Sequence, residues 1–433
     1  MSGAPVMGDG PPLPLKPVAA EFFGTMCVRY GGAMPRDEIG RDLSDVAKAV
    51  FSALLRQGEA TRRSLATEAE VSFPTVTAAL AELDGLSFVE ELRREQGARG
   101  RATIVYGASR RAGWVLGLDI GSTQVSFLAQ SLKGEVLERG SVPHHGDVRL
   151  SATLAGKIAA DFLKLRPKEG RPLVVALALN QIVPRHLESR APDSPRPVAL
   201  DVIEHFSASA RIDPAVPLLV ENNVNCAAVA EHHDGMMQGI DDAAYMQIGV
   251  GIGLGFFSDG ALIRGGYGAS GELAQIPLSW SADVESPRNA IEMAYGSTGL
   301  IDAARQAWSE KDTAPQSAEA LFAKAEAGNV VAHALMRRQA AALGRIAAAC
   351  VTIVDPTVLV IGGGLTRNQT FAGLIIDEFQ SRNGRTDIRV SAKGADATVQ
   401  GVAILARDFA LKAMLGPYHQ PLLSRPTIWR SGS

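Results

Sequence analysis

Apolar residues recur at helical spacing in the first patterned stretch of the chain, residues 41–112. Val46, Val50 and Leu54 lie one helical turn apart, and Gly58 closes the pattern as a C-terminal glycine does. Ser72 is a favourable N-cap for a later helix that carries Pro74 in its first turn. We predict three short helices and two strands: a helix that ends at Gly58, helices over 62–69 and 73–83, and strands over 86–92 and 102–106.

After Trp114 the pattern changes to continuous and alternating apolar runs, which predict an α/β architecture. The final third of the chain is helical, and it is interrupted by a buried strand that ends in three glycines at 362–364. The predicted elements are strands over 114–120, 124–130, 135–142 and 173–179, and helices over 150–165, 318–327, 330–354 and 399–415.

The two ends of the chain are rich in Pro with Gly or Ser and lack sustained periodicity. We therefore expect them to be tails on a two-part protein. The predicted division is a disordered tail over 1–40, a helical unit over 41–112, an α/β region over 113–415 and a second tail over 416–433.

Two polar loops are expected to face one cleft. The first, ENNVN at 221–225, follows an apolar run at 216–220 that is typical of a short buried strand. The second, GVGIGLG at 249–255, continues into a further glycine-rich segment that ends at Glu272. Alternating glycines let backbone N–H groups approach a ligand closely, although such a run also occurs at turns and tight packing contacts.

Composition narrows the class of protein. Of 433 residues, 46% are hydrophobic and 21% charged, which is ordinary for a soluble protein. No apolar run approaches the length of a membrane span, and the N-terminus lacks the features of a secretory signal. Cys27, Cys226 and Cys350 are too scattered for a disulfide framework or a zinc site. We expect a cytoplasmic protein without a membrane partner.

Three helices followed by a hairpin are typical of a winged helix-turn-helix unit, although other trihelical units share the pattern. Arginines concentrate at the hairpin. This clustering favours a DNA-binding role for the hairpin over a loop that is only exposed to solvent. The third helix offers no Arg, Asn or Gln, so base reading must rely on Thr hydroxyls and on apolar contact with thymine methyl groups. The predicted DNA-contacting residues are Ser72, Phe73, Thr75, Thr77, Arg93, Arg94, Arg99 and Arg101.

The order of these motifs resembles the ROK family of bacterial sugar kinases and transcriptional repressors. The winged unit, the GARGRA segment at 97–102 and the DIG strand end at 119–121 are similar to its repressor branch. The resemblance implies a two-lobed actin-like (ribonuclease H-like) sugar-kinase fold, with lobes of about 113–230 plus the C-terminal helix and about 231–400. It also implies vestigial nucleotide loops at Asp119, Gly121, Thr123, Gly251, Gly253, Gly362 and Gly363.

The chain departs from the family pattern in three places. Asn223 stands where the family kinases have the Asp that accepts the sugar hydroxyl proton, and an amide cannot take that proton. Gln275 replaces a His, and the segment 280–292 has no Cys, so we expect no structural zinc and no other cofactor. The resemblance places effector contacts at Asn222, Asn223, Glu272, Gln275 and Glu292, although the carboxylates also suit surface or capping roles.

The sequence therefore predicts a transcriptional regulator, a repressor, that binds operator DNA as a homodimer or homotetramer. A small sugar or sugar-phosphate effector would control it from a catalytically inactive kinase-like cleft. Two other classes stay open: an ATP-dependent sugar kinase with an attached DNA-binding unit, and an adaptor whose winged unit binds protein.

Overall fold

A computed structural model describes residues 43–96, 102–145, 147–165, 169–185, 197–279, 286–308, 313–422 and 427–429. The expected tail over 1–40 lies outside these residues. Among the described helices, none is long and apolar enough to cross a membrane.

The N-terminal unit begins with three helices whose ends are set by local capping. Ser44 and Ser72 accept hydrogen bonds from the backbone N–H groups of Ala47 and Thr75, and Gly58 ends the first helix with a positive φ. A short strand between the first two helices was not predicted from the sequence. The elements are α1 (Asp45–Gln57), β1 (Glu59–Thr61), α2 (Arg62–Glu68), α3 (Phe73–Gly85), β2 (Val89–Gln96) and β3 (Ala102–Ala108).

The hairpin of this unit differs from the prediction in where its first strand begins. Phe88 N–H donates to the carbonyl of Leu83, and Ser87 has a left-handed φ of 62°, so the chain turns here and β2 starts at Val89. Strand β3 lies between β1 and β2 in a three-stranded sheet. Arg93 and Arg94 consequently lie within β2 and not in the loop where we expected them.

The first lobe is a six-stranded sheet with helices on both faces. The sheet order is β14-β8-β7-β4-β5-β6, in which β4, β7 and β8 are parallel. Helices α4 and α5 cover one face, whereas α6 and α12 cover the other. The elements are β4 (Trp114–Ile120), β5 (Gln124–Ser131), β6 (Val136–Pro143), α4 (Val148–Leu165), β7 (Pro172–Leu179), α5 (Val198–Ala210), β8 (Leu218–Asn222), α6 (Asn223–Asp234), α12 (Ala397–Leu415) and β14 (Thr427–Trp429).

The second lobe is a five-stranded sheet of order β11-β10-β9-β12-β13, packed against a helical layer. Its longest helix, α10, has the predicted bounds and ends at Asp355, which adopts a left-handed φ. The elements are β9 (Ala243–Ile248), β10 (Ile252–Ser258), β11 (Ala261–Leu262), α7 (Ala290–Tyr295), α8 (Ser297–Ala307), α9 (Ala318–Glu326), α10 (Val330–Val354), β12 (Val358–Gly362), α11 (Gln369–Gln380) and β13 (Asp387–Val390).

The C-terminal segment, expected as a tail over 416–433, contains ordered structure. Asp408 in α12 accepts hydrogen bonds from the His419 ring and from Leu422 N–H, at 2.8 and 2.9 Å. Strand β14 pairs antiparallel with β8 at the edge of the first sheet. The carbonyl of Tyr418 accepts a hydrogen bond from Ser52 in α1 at 2.8 Å, so this segment also contacts the N-terminal unit.

Candidate functional site

A cleft of about 930 Å³ lies between the two sheets and receives residues from both lobes. The predicted effector residues Asn222, Asn223, Glu272, Gln275 and Glu292 all line it. The ends of β4 and β8 supply one wall and the glycine-rich turn before β10 supplies another. The volume suits a small organic ligand.

Asn222 ends β8 and caps α6. Its side-chain oxygen accepts hydrogen bonds from the N–H groups of Val224 and Asn225 at 2.8 and 3.2 Å. Its amide nitrogen donates to the Gln181 carbonyl at 3.2 Å and to Glu272 Oε1 at 3.4 Å. An asparagine side chain has two donor hydrogens and two acceptor positions, so all four are occupied. Asn222 therefore shapes the cleft wall, and a ligand gains a hydrogen bond from it only by displacing an existing partner.

A buried ion pair between Glu221 and Arg264 supports this wall of the cleft. Their side chains are 5% and 6% exposed, and Arg264 Nε lies 2.8 Å from Glu221 Oε2. Glu221 Oε1 accepts from the Asn222 N–H at 2.8 Å and from Asn225 Nδ2 at 3.0 Å, and Arg264 donates to Thr427 Oγ1 at 2.6 Å. A buried ion pair of this kind requires such additional hydrogen bonds. The sequence carried no signal for this contact, because its members are far apart in the chain.

Asn223 is the first helical residue of α6 and lies partly exposed at the cleft. Glu272 lines the same cleft at the turn before Leu273, and burial, followed by the charge of Glu292, raises the pKa of Glu272. The site thus combines an amide with a desolvated carboxyl group, a pair that hydrogen-bonds hydroxyl groups.

Glu292 lies in the first turn of α7 and accepts a hydrogen bond from Ile252 N–H at 3.0 Å. It therefore anchors the start of β10 while it lines the cleft. Gln275 ends a short 3-10 turn that begins at Leu273 and also faces the cleft.

Close packing explains two of the glycines that we assigned to nucleotide loops. A Cβ on Gly253 would lie 2.8 Å from Val224 Cγ2 in α6, and one on Gly362 would enter the ring of Tyr245. Gly362 is not among the residues that line the described cleft, and its assignment to a nucleotide loop stays a prediction. Gly251, Gly253 and Gly363 do line the cleft, and Gly363 has a φ of 101° that favours glycine.

The turn after β4 places Asp119, Gly121 and Thr123 at the cleft. Burial raises the pKa of Asp119 to about 7. Its Oδ1 atom is buried and has no hydrogen-bond partner among the described residues. The carboxyl group therefore keeps its proton to a higher pH than an exposed aspartate does.

The described cleft lining includes four carboxyl groups, from Asp119, Glu272, Glu292 and Glu319, and one guanidinium, from Arg305. Arg305 donates to Asp302 Oδ1 at 2.8 Å. Arg305, Glu319, Gln181 and Gln247 also line the described cleft and were not predicted from the sequence.

The predicted DNA-contacting residues lie on the N-terminal unit, apart from Arg99 and Arg101, which fall outside the described residues. Ser72 caps α3, and Phe73 is 54% exposed. Arg93 is bound by Glu59 and, at 2.9 Å, by Glu95, because alternate residues of a strand share a face. Arg94 lies 3.2 Å from Glu91, and Thr75 and Thr77 make hydrogen bonds within α3.

Two sheets that flank a cleft, with α6 and α12 packed across the first of them, define a two-lobed α/β fold of the actin-like sugar-kinase type. The sequence matches the ROK family over residues 115–409, which is more than half of the chain. The protein therefore belongs to the ROK family, as the motif order predicted.

Relatives include an enzyme and a repressor. The bifunctional enzyme NanE/NanK from Brucella melitensis is 28% identical over 312 residues, which is 70% of this chain and 56% of that enzyme. The xylose repressor from Bacillus subtilis is 21% identical over 236 residues, which is 54% of this chain and 60% of that repressor. The chain thus spans little more than half the length of these relatives.

A crystal structure of a ROK family transcriptional regulator, a homologue of the E. coli MLC protein, superposes with a TM-score of 0.65 at 19% identity. The match covers 86% of this chain and 98% of that one.

Proposed function

We propose that this protein is a DNA-binding transcriptional regulator, a repressor, whose cleft binds a sugar or sugar derivative as its effector. The N-terminal unit carries this proposal. It has three capped helices followed by a hairpin, and α3 leaves a face open to solvent, as the recognition helix of a winged helix-turn-helix does. The likeness of the whole fold to that of a ROK family transcriptional regulator supports the same interpretation.

Asn223 supports a regulator over a kinase. Transfer of a phosphoryl group to a sugar hydroxyl needs a base at this cleft, and general-base catalysis contributes about 10²–10⁴ in rate. An asparagine can donate to and accept from a hydroxyl but cannot take its proton at neutral pH. The cleft would then bind a sugar without turnover. Glu272 and Gln275 line the same cleft and would share the contacts to its hydroxyl groups.

The proposed organisation is a DNA-binding unit over 41–112 and an effector domain over 113–415, acting in the cytoplasm as a homodimer or homotetramer. Ser52 in α1 donates to the Tyr418 carbonyl, and the hydrophobic core runs from Leu54 in α1 to Met414 in α12. This contact gives a route by which lobe closure on a sugar could shift the spacing of two DNA-binding units.

We propose that the protein carries no structural zinc. The ligands of such a site would fall in the segment 280–292, whose first part, 280–285, lies outside the described residues. The sequence of that segment contains no Cys and no His. Metal analysis of the purified protein tests this expectation directly.

The deciding experiment measures binding of the purified full chain to its own upstream DNA across a salt series, with and without a panel of sugars and sugar phosphates. We expect tight, salt-sensitive binding that one sugar relieves. ATP turnover with the same sugars is measured in parallel, and we expect it to stay at background. Sugar-dependent turnover without specific DNA binding would overturn the proposal in favour of a kinase.

A further inference from the structure

The outer face of α3 is apolar over its first three turns. Phe73 is 54% exposed, and Thr77, Ala78 and Ala81 follow it on the solvent side of the helix. The helix sequence, FPTVTAALAELDG, contains no Lys, Arg, Asn or Gln. It therefore has no side chain that can form the bidentate hydrogen bonds by which Arg recognises guanine or Asn recognises adenine.

The hydroxyl groups of this face are engaged within the helix. Thr77 Oγ1 donates to the Phe73 carbonyl at 3.0 Å. Ser72 Oγ and Thr75 Oγ1 are 2.6 Å apart, so one of their two hydrogens is shared between them. Apart from these hydroxyl groups, this face of α3 presents a phenyl ring and a row of methyl groups.

The carboxylate of Glu82 is tethered to the start of α1. Its two oxygens accept from the Ser44 N–H at 2.6 Å and from Ser44 Oγ at 2.7 Å, so it is held at the start of α1. The helix is anchored by the buried residues Val76, Leu80 and Leu83. The exposed strip is therefore not needed for folding of the unit and is free to contact a partner.

We propose that this strip reads thymine methyl groups in the major groove of DNA, with Phe73 as the residue that sets the specificity. This inference rests on the proposed DNA-binding function and names the base that α3 recognises. Thymine is the only one of the four bases with a methyl group in the major groove, and apolar side chains contact it directly. Small residues at 78 and 81 let the helix backbone approach the base edges.

The test uses the full-length protein and the site that footprinting locates in its upstream DNA. Each thymidine of the site is replaced by deoxyuridine, which removes the methyl group and keeps every hydrogen-bonding position. Binding should weaken about fourfold for each contacted methyl, as expected for loss of one buried methyl group. In the variant Phe73→Ala, the difference between thymidine and deoxyuridine DNA at the contacted positions should disappear.

A matched control is Leu150→Ala, which removes another exposed apolar side chain, 62% exposed, on α4. This control should keep the full thymidine preference. Specific binding that is indifferent to deoxyuridine overturns the inference and leaves the proposed function standing. Absence of any specific DNA binding overturns both. If Phe73→Ala instead abolishes self-association and leaves the thymidine preference intact, the strip is an interface between copies and the inference is wrong.

Discussion

At the residue scale, the pair Glu221 and Arg264 decides the shape of the cleft wall. Both side chains are almost completely buried and the pair carries the hydrogen bonds of Asn222 and Asn225. Removal of one partner from such a pair leaves an uncompensated charge in the interior. The ENNVN segment at 221–225 is therefore held in place by Arg264, which belongs to the glycine-rich segment that ends at Glu272.

We expect Arg264→Met to lower the free energy of unfolding by about 3–5 kcal/mol, because Glu221 would remain charged and buried without its partner. Urea unfolding measures the change. The exposed Arg385, whose guanidinium lies 3.8 Å from Asp355, gives a matched control, and Arg385→Met should change stability by less than about 0.5 kcal/mol. Equal stability of Arg264→Met and the native protein would contradict this role.

Asp119 should make stability depend on pH. Its folded pKa is about 7, above an unfolded value of about 3.9, so the folded state binds the proton more tightly. The stabilisation is therefore complete below about pH 4 and is lost as the pH rises to about 7. Asp119→Asn lacks this titration. Between pH 4 and pH 8 the native protein should therefore lose roughly 2–4 kcal/mol of unfolding free energy relative to Asp119→Asn. Parallel pH profiles in urea unfolding would show that Asp119 titrates normally.

At the element scale, the packing of α6 on α12 depends on one glycine. A Cβ on Gly401 in α12 would collide with the carbonyl of Cys226 in α6. The backbones of the two helices therefore touch, and no larger side chain fits between them. Since α6 begins at Asn223, this contact also positions the cleft.

We expect Gly401→Ala to destabilise the protein by about 1–3 kcal/mol or more, because the helices must separate to admit the methyl group. Gly373 in α11 is a matched control, since a Cβ there would meet nothing within 4 Å. Gly373→Ala should stabilise the protein by about 0.5–1 kcal/mol through helix propensity. Thermal unfolding of both variants measures the two opposite shifts, and a stabilised Gly401→Ala would show that the helices do not touch.

At the scale of the whole molecule, charge distribution predicts how DNA would be held. In the described part of the N-terminal unit, Arg93 and Arg94 are bound by glutamates of the same unit, which weakens their pull on phosphates. Arg99 and Arg101 in the hairpin connection then become the main candidates for phosphate contact.

We expect the double variant Arg99→Ala/Arg101→Ala to weaken DNA binding and to reduce the slope of log K against log salt by about 1–2, close to 0.9 for each phosphate that is no longer neutralised. The pair Arg382→Ala/Arg385→Ala, just after α11 in the second lobe, removes the same charge and should leave the slope unchanged. Fluorescence anisotropy at several salt concentrations gives both slopes. Equal slopes for the two double variants would place the phosphate contacts elsewhere.

Much of the fold could be predicted because its signals are local. Ser72 with Pro74 located the start of α3, and the predicted helix over 330–354 matches α10. The predicted start of β2 was wrong by three residues, because a left-handed turn at Ser87 leaves little trace in the hydrophobic pattern of the sequence. Strand β14 was missed because a three-residue edge strand in a Pro-rich segment has no usable periodicity.

The sequence by itself determined the family, the helices and strands with strong local signals, and the residue types that meet at the cleft, because these follow from nearest-neighbour preferences and motif order. Only the tertiary structure decided what those residues do there. It saturates the Asn222 amide, ties Glu292 to β10, turns Gly253 and Gly362 into packing contacts and buries Glu221 against Arg264. Each of these depends on groups distant in the chain, whose distance and desolvation are set only when the two lobes have folded.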